Sequence, residues 1–265
     1  MAKTVRYATT GINVRDAAAG AITRTINTGY LMVHDSADAP VIKALSGTNY
    51  TWIKVTYYYQ KPNSQVVGGS DTGWVARENT AAVSTTMPSK SSVVSGNKYL
   101  TQTEMLVNAR YIYNYLLSRP TATKWTEIAI GGMMGNLEQE SNINPGFWQD
   151  LNSSNTKKGF GLTQWTPSTK LTDWLPSGAN KSDIDKQLER ILHEVQNDSL
   201  QWQKSLHTPQ ITFKQYSQMT GKNVTEMAEY FLRCYEDPDS VSSKVQDRKD
   251  LALKWNWVTY CLDRM

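Results

Sequence analysis

The hydrophobic pattern of this 265-residue chain changes its period once, and the change divides the chain in two. Up to residue 83, short β-branched and aromatic runs alternate with glycines, which is typical of closely spaced strands joined by turns. From residue 99 onward, apolar residues recur three and four positions apart, which predicts amphipathic helices. The segment 84–98 is rich in Ser, Thr, Gly and Pro and has the composition of a linker. The sequence therefore predicts two domains, a small all-β barrel at 1–83 and a mainly α domain at 99–265 with a small β element.

Five helices are predicted in the second domain. Their expected starts are Thr101, Thr126, Ser182, Thr225 and Val241, and the second is expected to end at Ser141. The segment Asn142–Gly178 between the second and third helices is rich in Gly, Asn, Ser and Thr and is too long for a plain loop. We expect it to hold a small sheet or to line a cleft.

Composition and charge exclude several classes of protein. The net charge is +4, with 8 Lys and Arg against 5 Asp and Glu in residues 1–83. A dedicated nucleic-acid binder would carry a denser basic stripe, so no nucleic-acid partner is expected. The chain has no apolar run of transmembrane length, so no membrane insertion is expected. The segment Met1–Asn13 lacks the apolar core of a signal peptide.

The cysteines and histidines argue against metal chemistry. The two cysteines, Cys234 and Cys261, do not make a disulfide framework, although one bridge is left open. The three histidines are widely spaced and form no H-E-x-x-H motif. We therefore expect neither a metal nor a cofactor.

Glu140 is the residue to which the helical pattern assigns chemistry. Asn142 and Pro145 end the second helix, so Glu140 falls in its last turn. At about 100° per residue it lies roughly 20° from Met133 on the apolar stripe, whereas Glu138 lies roughly 140° away, towards solvent. Burial and the negative end of the helix dipole both favour a protonated acid, which could donate a proton to a glycosidic oxygen. A buried Glu satisfied by an arginine or by backbone groups fits the same position.

The sequence around Glu140 resembles the lysozyme superfamily. Gln139-Glu140-Ser141 and Asn144-Pro145 precede Gly159–Pro167, which contains Gly161-Leu162-Thr163-Gln164. Goose-type lysozymes and soluble lytic transglycosylases pair a helix-end Glu with a strand and turn of the type G-L-x-Q. The phage tail lysozyme family is more similar still, over about residues 100–240. That resemblance includes Ala109–Tyr113, Ile130–Pro145, Phe147–Gln149, Gly159–Pro167, Asp173-Trp174 and Tyr235–Pro238.

The resemblance implies a mainly helical lysozyme-like fold. It implies cleavage of the β-1,4 bond between N-acetylmuramic acid and N-acetylglucosamine, with Glu140 as the catalytic acid. Gln164 is implied as a substrate-binding residue opposite it. Glu236 is taken as structural, because Asp237 stands where the family motif has a basic residue. Four aromatic residues are candidates for sugar subsites, and core packing is equally open for them. They are Trp148, Phe160, Trp165 and Tyr235.

The second catalytic carboxylate is an open question. Inversion needs a base for water and retention needs a nucleophile. Asp150 and Asp173 lie in the expected cleft segment and are candidates, although Asp also serves turns and caps. Members of the superfamily with a single Glu use substrate assistance, or a transglycosylase route that leaves a 1,6-anhydro product. The sequence does not choose between these routes.

The first domain resembles a bacterial SH3 domain. Gly11–Asp16 is similar to the opening signature of that fold, and Thr51–Val55 and Gly73–Val75 are similar to its later strands. The resemblance implies an SH3-like barrel that binds the cell wall and raises the local enzyme concentration. Its implied wall-binding residues are Trp52, Tyr57 and Trp74. A spacer or assembly barrel is the alternative.

Together these features predict a peptidoglycan hydrolase whose partner is the bacterial wall. We expect a protein made in the host cytoplasm that acts after holin release, as an endolysin, or as a virion tail component. A non-catalytic protein that binds the wall or a host receptor is the alternative. The oligomeric state is left open.

Overall fold

The computed structural model describes residues 3–60, 67–197, 200–236 and 244–263. It contains two compact units. One holds residues 1–87 with 101–103 and 257–265, and the other holds 88–100 and 104–256. The predicted fold class, a β domain followed by a mainly helical one, is confirmed. The predicted linker differs from the structure in its second part, because 88–100 belongs to the helical unit.

Side-chain amides hold that second part of the predicted linker in place. Asn108 pairs with both backbone groups of Val94, at 2.8 and 2.7 Å. Asn144 donates to the carbonyl oxygens of Gly96 and Lys98, each at 2.7 Å. The composition of this segment predicted a linker, and these amides give its backbone groups fixed partners.

The first unit is built on an eight-stranded antiparallel sheet. The order is β3-β2-β7-β6-β4-β1-β8, and β5 pairs with β6. The long strands β6 and β7 form the central hairpin, paired from Trp52 opposite Ala76 to Tyr59 opposite Gly69, with a register shift before Gln60 opposite Val67. The strands are β1 Lys3–Ala8, β2 Ile12–Arg15, β3 Ile22–Ile26, β4 Leu31–Asp35, β5 Val41–Leu45, β6 Thr48–Gln60, β7 Val67–Ala76 and β8 Thr80–Ala82.

One apolar cluster fills the inside of this sheet. Strands alternate their side chains between two faces, so every second residue of a strand can face the same core. The cluster draws on strands near both ends of the sheet order, which means that the sheet curves around a shared core. Its members are Ala8, Ile12, Val14, Ile26, Tyr30, Met32, Ile53, Val55, Tyr57 and Val75.

Two of the three predicted wall-binding aromatics lie in the interior of this unit. Trp52 is 2% exposed and its Nε1 donates to the carbonyl of Lys43 at 3.0 Å. Tyr57 is fully buried within the apolar cluster. The prediction that these two rings contact the wall is therefore wrong. Aromatic rings serve both core packing and recognition, and the strand pattern alone does not distinguish the two uses. Trp74 is half-buried and keeps part of its surface.

The second unit is helical. A π-helical turn, Leu232–Glu236, continues α6. The predicted first and second helices agree with α1 and α2, while the third begins after Asp183 rather than Ser182, since the Asp183 carboxylate accepts from the backbone of Asp185 and Lys186. The short α3 and α5 were not predicted, and residues 241–243 of the fifth predicted helix lie outside the described residues. The helices are α1 Gln102–Leu117, α2 Glu127–Ser141, α3 Thr169–Thr172, α4 Ile184–Gln196, α5 Phe213–Ser217, α6 Val224–Phe231 and α7 Val245–Asp263.

In the described residues, no helix combines the length and apolar character that a membrane span requires.

The central helix α2 is closely packed against its neighbours because three of its residues, Gly131, Gly132 and Gly135, are glycines. A Cβ on Gly132 would lie 2.6 Å from the carbonyl carbon of Met227 in α6. A Cβ on Gly135 would lie 2.5 Å from the carbonyl oxygen of Arg248 in α7. These backbone approaches set the last turn of α2 against α7.

We predict that Gly132→Ala lowers the free energy of unfolding by about 1–3 kcal/mol, because the added methyl overlaps fixed backbone atoms. Urea denaturation of the whole chain measures this. Gly11→Ala is the matched control, since its Cβ would meet only the Ile26 carbonyl, at 4.0 Å. Equal stability of the Gly132→Ala variant and the parent would contradict the packing of α2.

Candidate functional site

Glu140 stands in the last turn of α2, as the sequence predicts. The helix ends because Asn142 adopts a left-handed conformation, with φ 54°, and its N–H donates to the Glu138 carbonyl at 2.9 Å. The Glu140 side chain is 24% exposed, so its carboxylate has an open edge. Its Oε1 accepts a hydrogen bond from Nη2 of Arg248, which is 4% exposed and lies on α7.

The arginine partner bears directly on the chemistry of Glu140. The sequence left open a Glu that is satisfied by an arginine, and Arg248 supplies that contact. A general acid has to give a proton to its substrate, so the contact with Arg248 is the one that an acid role for Glu140 has to accommodate.

Glu236, at the end of the π-helical turn, is the second carboxyl of this region. Burial raises the pKa of Glu236 well above its ordinary value, and the negative charge of Glu140 raises it further, while Arg248 acts in the opposite direction. Part of the Glu236 side chain is exposed, but its Oε1 atom is buried. We call these three residues the Glu140–Arg248–Glu236 cluster. The sequence gave no signal for Arg248, and the predicted structural role of Glu236 did not include an electrostatic interaction with Glu140.

Residues 159–167, which we call the strand-and-turn segment, are bonded to the end of α2. The hydroxyl of Ser141 donates to the Leu162 carbonyl at 2.8 Å, so the residue that follows Glu140 fixes this segment. On its other side, the N–H of Leu162 donates to Oε1 of Gln187 at 2.8 Å. Single bridges join Phe160 to Trp148 and to Trp165, and they form the small β element that the sequence predicts.

Gln164 lies in the turn of this segment. Its backbone is left-handed, with φ 50°. The side-chain amide donates to the carbonyls of Phe147, at 3.1 Å, and Gly161, at 2.9 Å. The amide nitrogen thus shapes the turn itself, and substrate binding by Gln164 stays a prediction.

The four aromatic subsite candidates are all buried. Their exposed fractions are 4% for Trp148, 0% for Phe160, 2% for Trp165 and 1% for Tyr235. Rings enclosed to this degree offer no face on which a sugar can stack, so the prediction that they bind sugars directly is wrong for this structure. Phe160 and Trp165 belong to the strand-and-turn segment itself, while Trp148 packs against Phe160 and the Tyr235 hydroxyl lies 3.4 Å from that of Thr163.

A buried carboxylate on α4 organises two of those rings. Glu194 is 1% exposed and accepts from Trp165 Nε1 at 3.0 Å, from Arg190 Nε at 2.9 Å and from the hydroxyl of Tyr235. Burial raises the pKa of Glu194, and these three donors oppose that shift. Because Trp165 lies in the strand-and-turn segment and Tyr235 lies beside Glu236, Glu194 fixes two parts of the site at once. The helical stripe predicted for α4 did not single it out.

The two Asp candidates make contacts with residues outside the Glu140–Arg248–Glu236 cluster. Asp150 is exposed and pairs with Nζ of Lys158 at 2.5 Å. Asp173 follows α3, where it accepts from the Thr172 hydroxyl at 3.5 Å. A second catalytic carboxylate at Asp150 or Asp173 stays a prediction, whereas the charge of Glu140 acts on Glu236.

Strained backbone is concentrated around this region. Outside glycine, the described residues have positive φ at seven positions, of which Ala19 and Ser46 lie in the first unit. The other five fall between residues 142 and 164. Left-handed backbone at such residues costs roughly 1 kcal/mol or more each and tends to occur at functional sites. The five are Asn142, Ile143, Asp150, Leu151 and Gln164.

The exposure of Glu138 differs from what the sequence predicts. The helical pattern placed it towards solvent, but it is 8% exposed. Nζ of Lys254 and Nε1 of Trp255 both donate to its carboxylate, each at 2.6 Å. The prediction failed because α7 covers that side of α2, which a single-helix pattern cannot reveal.

In the ranges that the structure describes, no three His, Cys, Asp or Glu side chains are grouped so that they could hold a metal ion. Cys234 is buried, and the side chain of Cys261 lies outside the described residues, so their pairing stays open.

A Glu at the end of a buried helix, facing a strand and turn, is the arrangement of a lysozyme-type domain. The chain matches the model of the phage tail lysozyme family over residues 107–257, and it belongs to that family. It is similar to Morphogenesis protein 1 of Bacillus phage B103, with 48% identity over 145 residues. That match covers 54% of this chain and 37% of the phage protein, well under two thirds of the relative's length.

We predict that Glu194→Ala lowers the free energy of unfolding by roughly 3 kcal/mol, because it leaves Arg190 buried without its carboxylate. Denaturant unfolding measures the loss. Glu189→Ala is the control on the same helix, where an exposed pair with Lys186 is worth less than about 1 kcal/mol. Similar losses for the two variants would show that Glu194 is no more important than a surface carboxylate.

Proposed function

We propose that this chain hydrolyses peptidoglycan at the β-1,4 bond between N-acetylmuramic acid and N-acetylglucosamine, with Glu140 as general acid. The observation that carries the proposal is the partly exposed carboxylate of Glu140 at the end of α2, beside a segment fixed by the Ser141–Leu162 hydrogen bond. Membership of the phage tail lysozyme family supports the same reaction.

The proposed chemistry is proton transfer to the leaving group. Glu140 gives its proton to the glycosidic oxygen, and the bond between that oxygen and C1 of muramic acid breaks. In hydrolysis the oxygen of a water molecule then bonds to C1 and its proton passes to a base. Asp150 and Asp173 remain candidates for that base, and Gln164 for holding the sugar. In the alternative, a lytic transglycosylase, the 6-hydroxyl of muramic acid attacks C1 and leaves a 1,6-anhydro end.

The phage relative bears on the site of action, because its name is Morphogenesis protein 1. This favours a virion component over a lysis-phase endolysin for our chain. A tail protein that binds the wall or a receptor without cleaving it is the non-catalytic alternative.

We predict that Glu140→Gln slows the clearing of purified bacterial walls by a factor of about 100 or more, because the amide cannot donate the proton. Turbidity measures clearing, and circular dichroism checks that the variant folds. Glu127→Gln, an exposed carboxylate in the first turn of the same helix, is the control and should keep the parent rate. Equal clearing by parent and Glu140→Gln would end the catalytic assignment.

Analysis of the products separates the alternatives in the same experiment. Mass spectrometry of the digest should find reducing muramic acid ends. Anhydro ends would favour the transglycosylase, and glucosamine ends would place the cut at the other bond. Walls that pellet with the parent and with Glu140→Gln, without digestion by either, would favour the binding protein.

The N-terminal sheet is proposed to attach the enzyme to the wall. Trp74 and Tyr50 are partly exposed aromatics next to the buried Trp52, with the ring of Tyr50 at 5.9 Å from it. The guanidinium of Arg15 lies 5.7 Å from the same Trp52 ring. Partly exposed aromatic rings beside a cation offer both stacking and polar contact to a sugar or peptide.

We predict that Trp74→Ala weakens sedimentation with walls about fivefold, which corresponds to the loss of roughly 1 kcal/mol of aromatic contact. The variant is made in the Glu140→Gln background so that the walls stay intact. Tyr7→Ala, a half-buried aromatic of β1, is the control. Unchanged sedimentation of Trp74→Ala would favour a spacer or assembly role for this unit.

A further inference from the structure

A polar cavity of about 280 Å³ opens on the sheet of the first unit. Residues of β1, β4, β6 and β7 line it, together with one residue of the turn that follows β4. Its volume is just below the range of roughly 300–1,000 Å³ that is usual for sites of drug-sized ligands. The cavity therefore suits a small ligand.

Four charged side chains line this cavity, two of each sign. Lys3 on β1 lies opposite Asp35 on β4, and Lys54 lies on β6, the strand on the other side of β4. Asp38 belongs to the turn after β4, where its N–H donates to the Asp35 carbonyl at 3.0 Å. The sheet and this turn thus bring two ammonium groups and two carboxylates to one cavity.

These four charges do not neutralise one another. In the part of the chain that the structure describes, none of the four makes an ion pair, although Lys3 and Asp35 are cross-strand neighbours. One oxygen of Asp35 accepts from the N–H of Ala37 at 3.0 Å, which fixes this carboxylate within the turn. The ammonium groups and carboxylates are therefore available to a ligand.

A ligand with charges of both signs fits this lining better than a ligand with one charge. An anion would meet two lysines and two carboxylates in the same small cavity, and a cation would meet the same four groups with the signs reversed. Repulsion from like charges would then offset the attraction. A zwitterion can instead place its carboxylate at the lysines and its ammonium group at the aspartates, with charge-assisted hydrogen bonds at both ends.

The neutral part of the lining offers contacts for the atoms between the two charges. Val33 is 4% exposed and gives the cavity an apolar surface. Thr56 and Thr72 also line it, and their hydroxyls have no hydrogen-bond partner among the described residues. A hydroxyl both donates and accepts, so these two groups can bind the N–H or the carbonyl of a peptide bond.

We propose that this cavity binds a small zwitterion of the amino acid class, either a free amino acid or a dipeptide with both ends charged. The site goes beyond the proposed function and does not depend on it, because Glu140 lies in the second unit. Lys54 lies opposite Trp74 in the β6–β7 hairpin. A bound ligand would therefore lie beside the aromatic residue that is proposed to contact the wall.

The test is an NMR titration of the full chain with alanylalanine, which carries an ammonium group and a carboxylate. We expect the largest shifts at the backbone amides of residues 33–38 and 54–56. N-acetyl-alanylalanine lacks the ammonium group and alanylalanine amide lacks the carboxylate. Each should bind about tenfold more weakly, because the charge contacts at one end are lost. Equal binding of the three compounds, or shifts centred elsewhere, would overturn the proposal.

Free alanine identifies the source of the zwitterion in the same titration. Affinity equal to that of alanylalanine supports the proposal with a free amino acid as the ligand. Weaker binding supports it with a dipeptide, since the hydroxyls of Thr56 and Thr72 then contribute through the peptide bond. The absence of binding by both compounds would contradict the site.

Paired variants assign the two halves of the cavity. Lys3→Gln with Lys54→Gln should remove the preference for alanylalanine over its amide. Asp35→Asn with Asp38→Asn should remove the preference over the N-acetyl compound, and the Asn oxygen at position 35 can still accept from the N–H of Ala37. Unchanged preferences in both paired variants would place the binding elsewhere and end the proposal.

Matched controls come from the same unit. Lys43→Gln and Asp16→Asn each remove an exposed charge that does not line the cavity, and both should bind as the parent does. Circular dichroism checks the fold of every variant. If a paired variant does not fold, the amide shifts of the parent and its preference among the three compounds decide the question.

Discussion

The ion pair between Arg248 and Glu140 is the contact on which the rest of the site depends. It joins two residues 108 positions apart in the sequence, because Glu140 lies in the last turn of α2 and Arg248 in the first turn of α7. The contact is within reach because Gly135 lets the backbone of α7 approach α2. A side chain at that glycine would separate the two helices and with them the two charges. The packing of α7 against α2 therefore also sets the distance between the two charges.

The strand-and-turn segment depends on a second set of buried polar contacts. Ser141 holds it from the end of α2, and Glu194 holds it from α4 through Trp165. Buried polar groups that are well satisfied specify one arrangement of a core, because each has few other partners available. The left-handed backbone at Gln164 persists for the same reason, since the surrounding hydrogen bonds determine it.

The sequence predicted those features that depend on local pattern. The period of the apolar residues gave α1 and α2, and the helix-ending Asn142 put Glu140 in the last turn. What it missed depends on contacts between distant parts of the chain. Arg248 and Glu194 are ordinary charged residues on helices until the fold brings them to Glu140 and Trp165. The prediction that the buried aromatics bind sugars failed for a related reason. Core packing and sugar binding both favour aromatic rings, and only the fold distinguishes the two uses.

Two carboxylates on α2 show how one partner helix can assign different roles to similar residues. Glu138 is enclosed, with Lys254 and Trp255 both donating to it, and burial lowers the pKa of Lys254 while Glu138 opposes that shift. Such a pair stabilises the contact of α2 with α7 and leaves no room for a substrate. Glu140 pairs with a single arginine and keeps an exposed edge, which the proposed catalytic role requires. Two positions along the helix therefore separate an enclosed carboxylate from one that stays accessible to solvent, and the distinction comes from where α7 crosses.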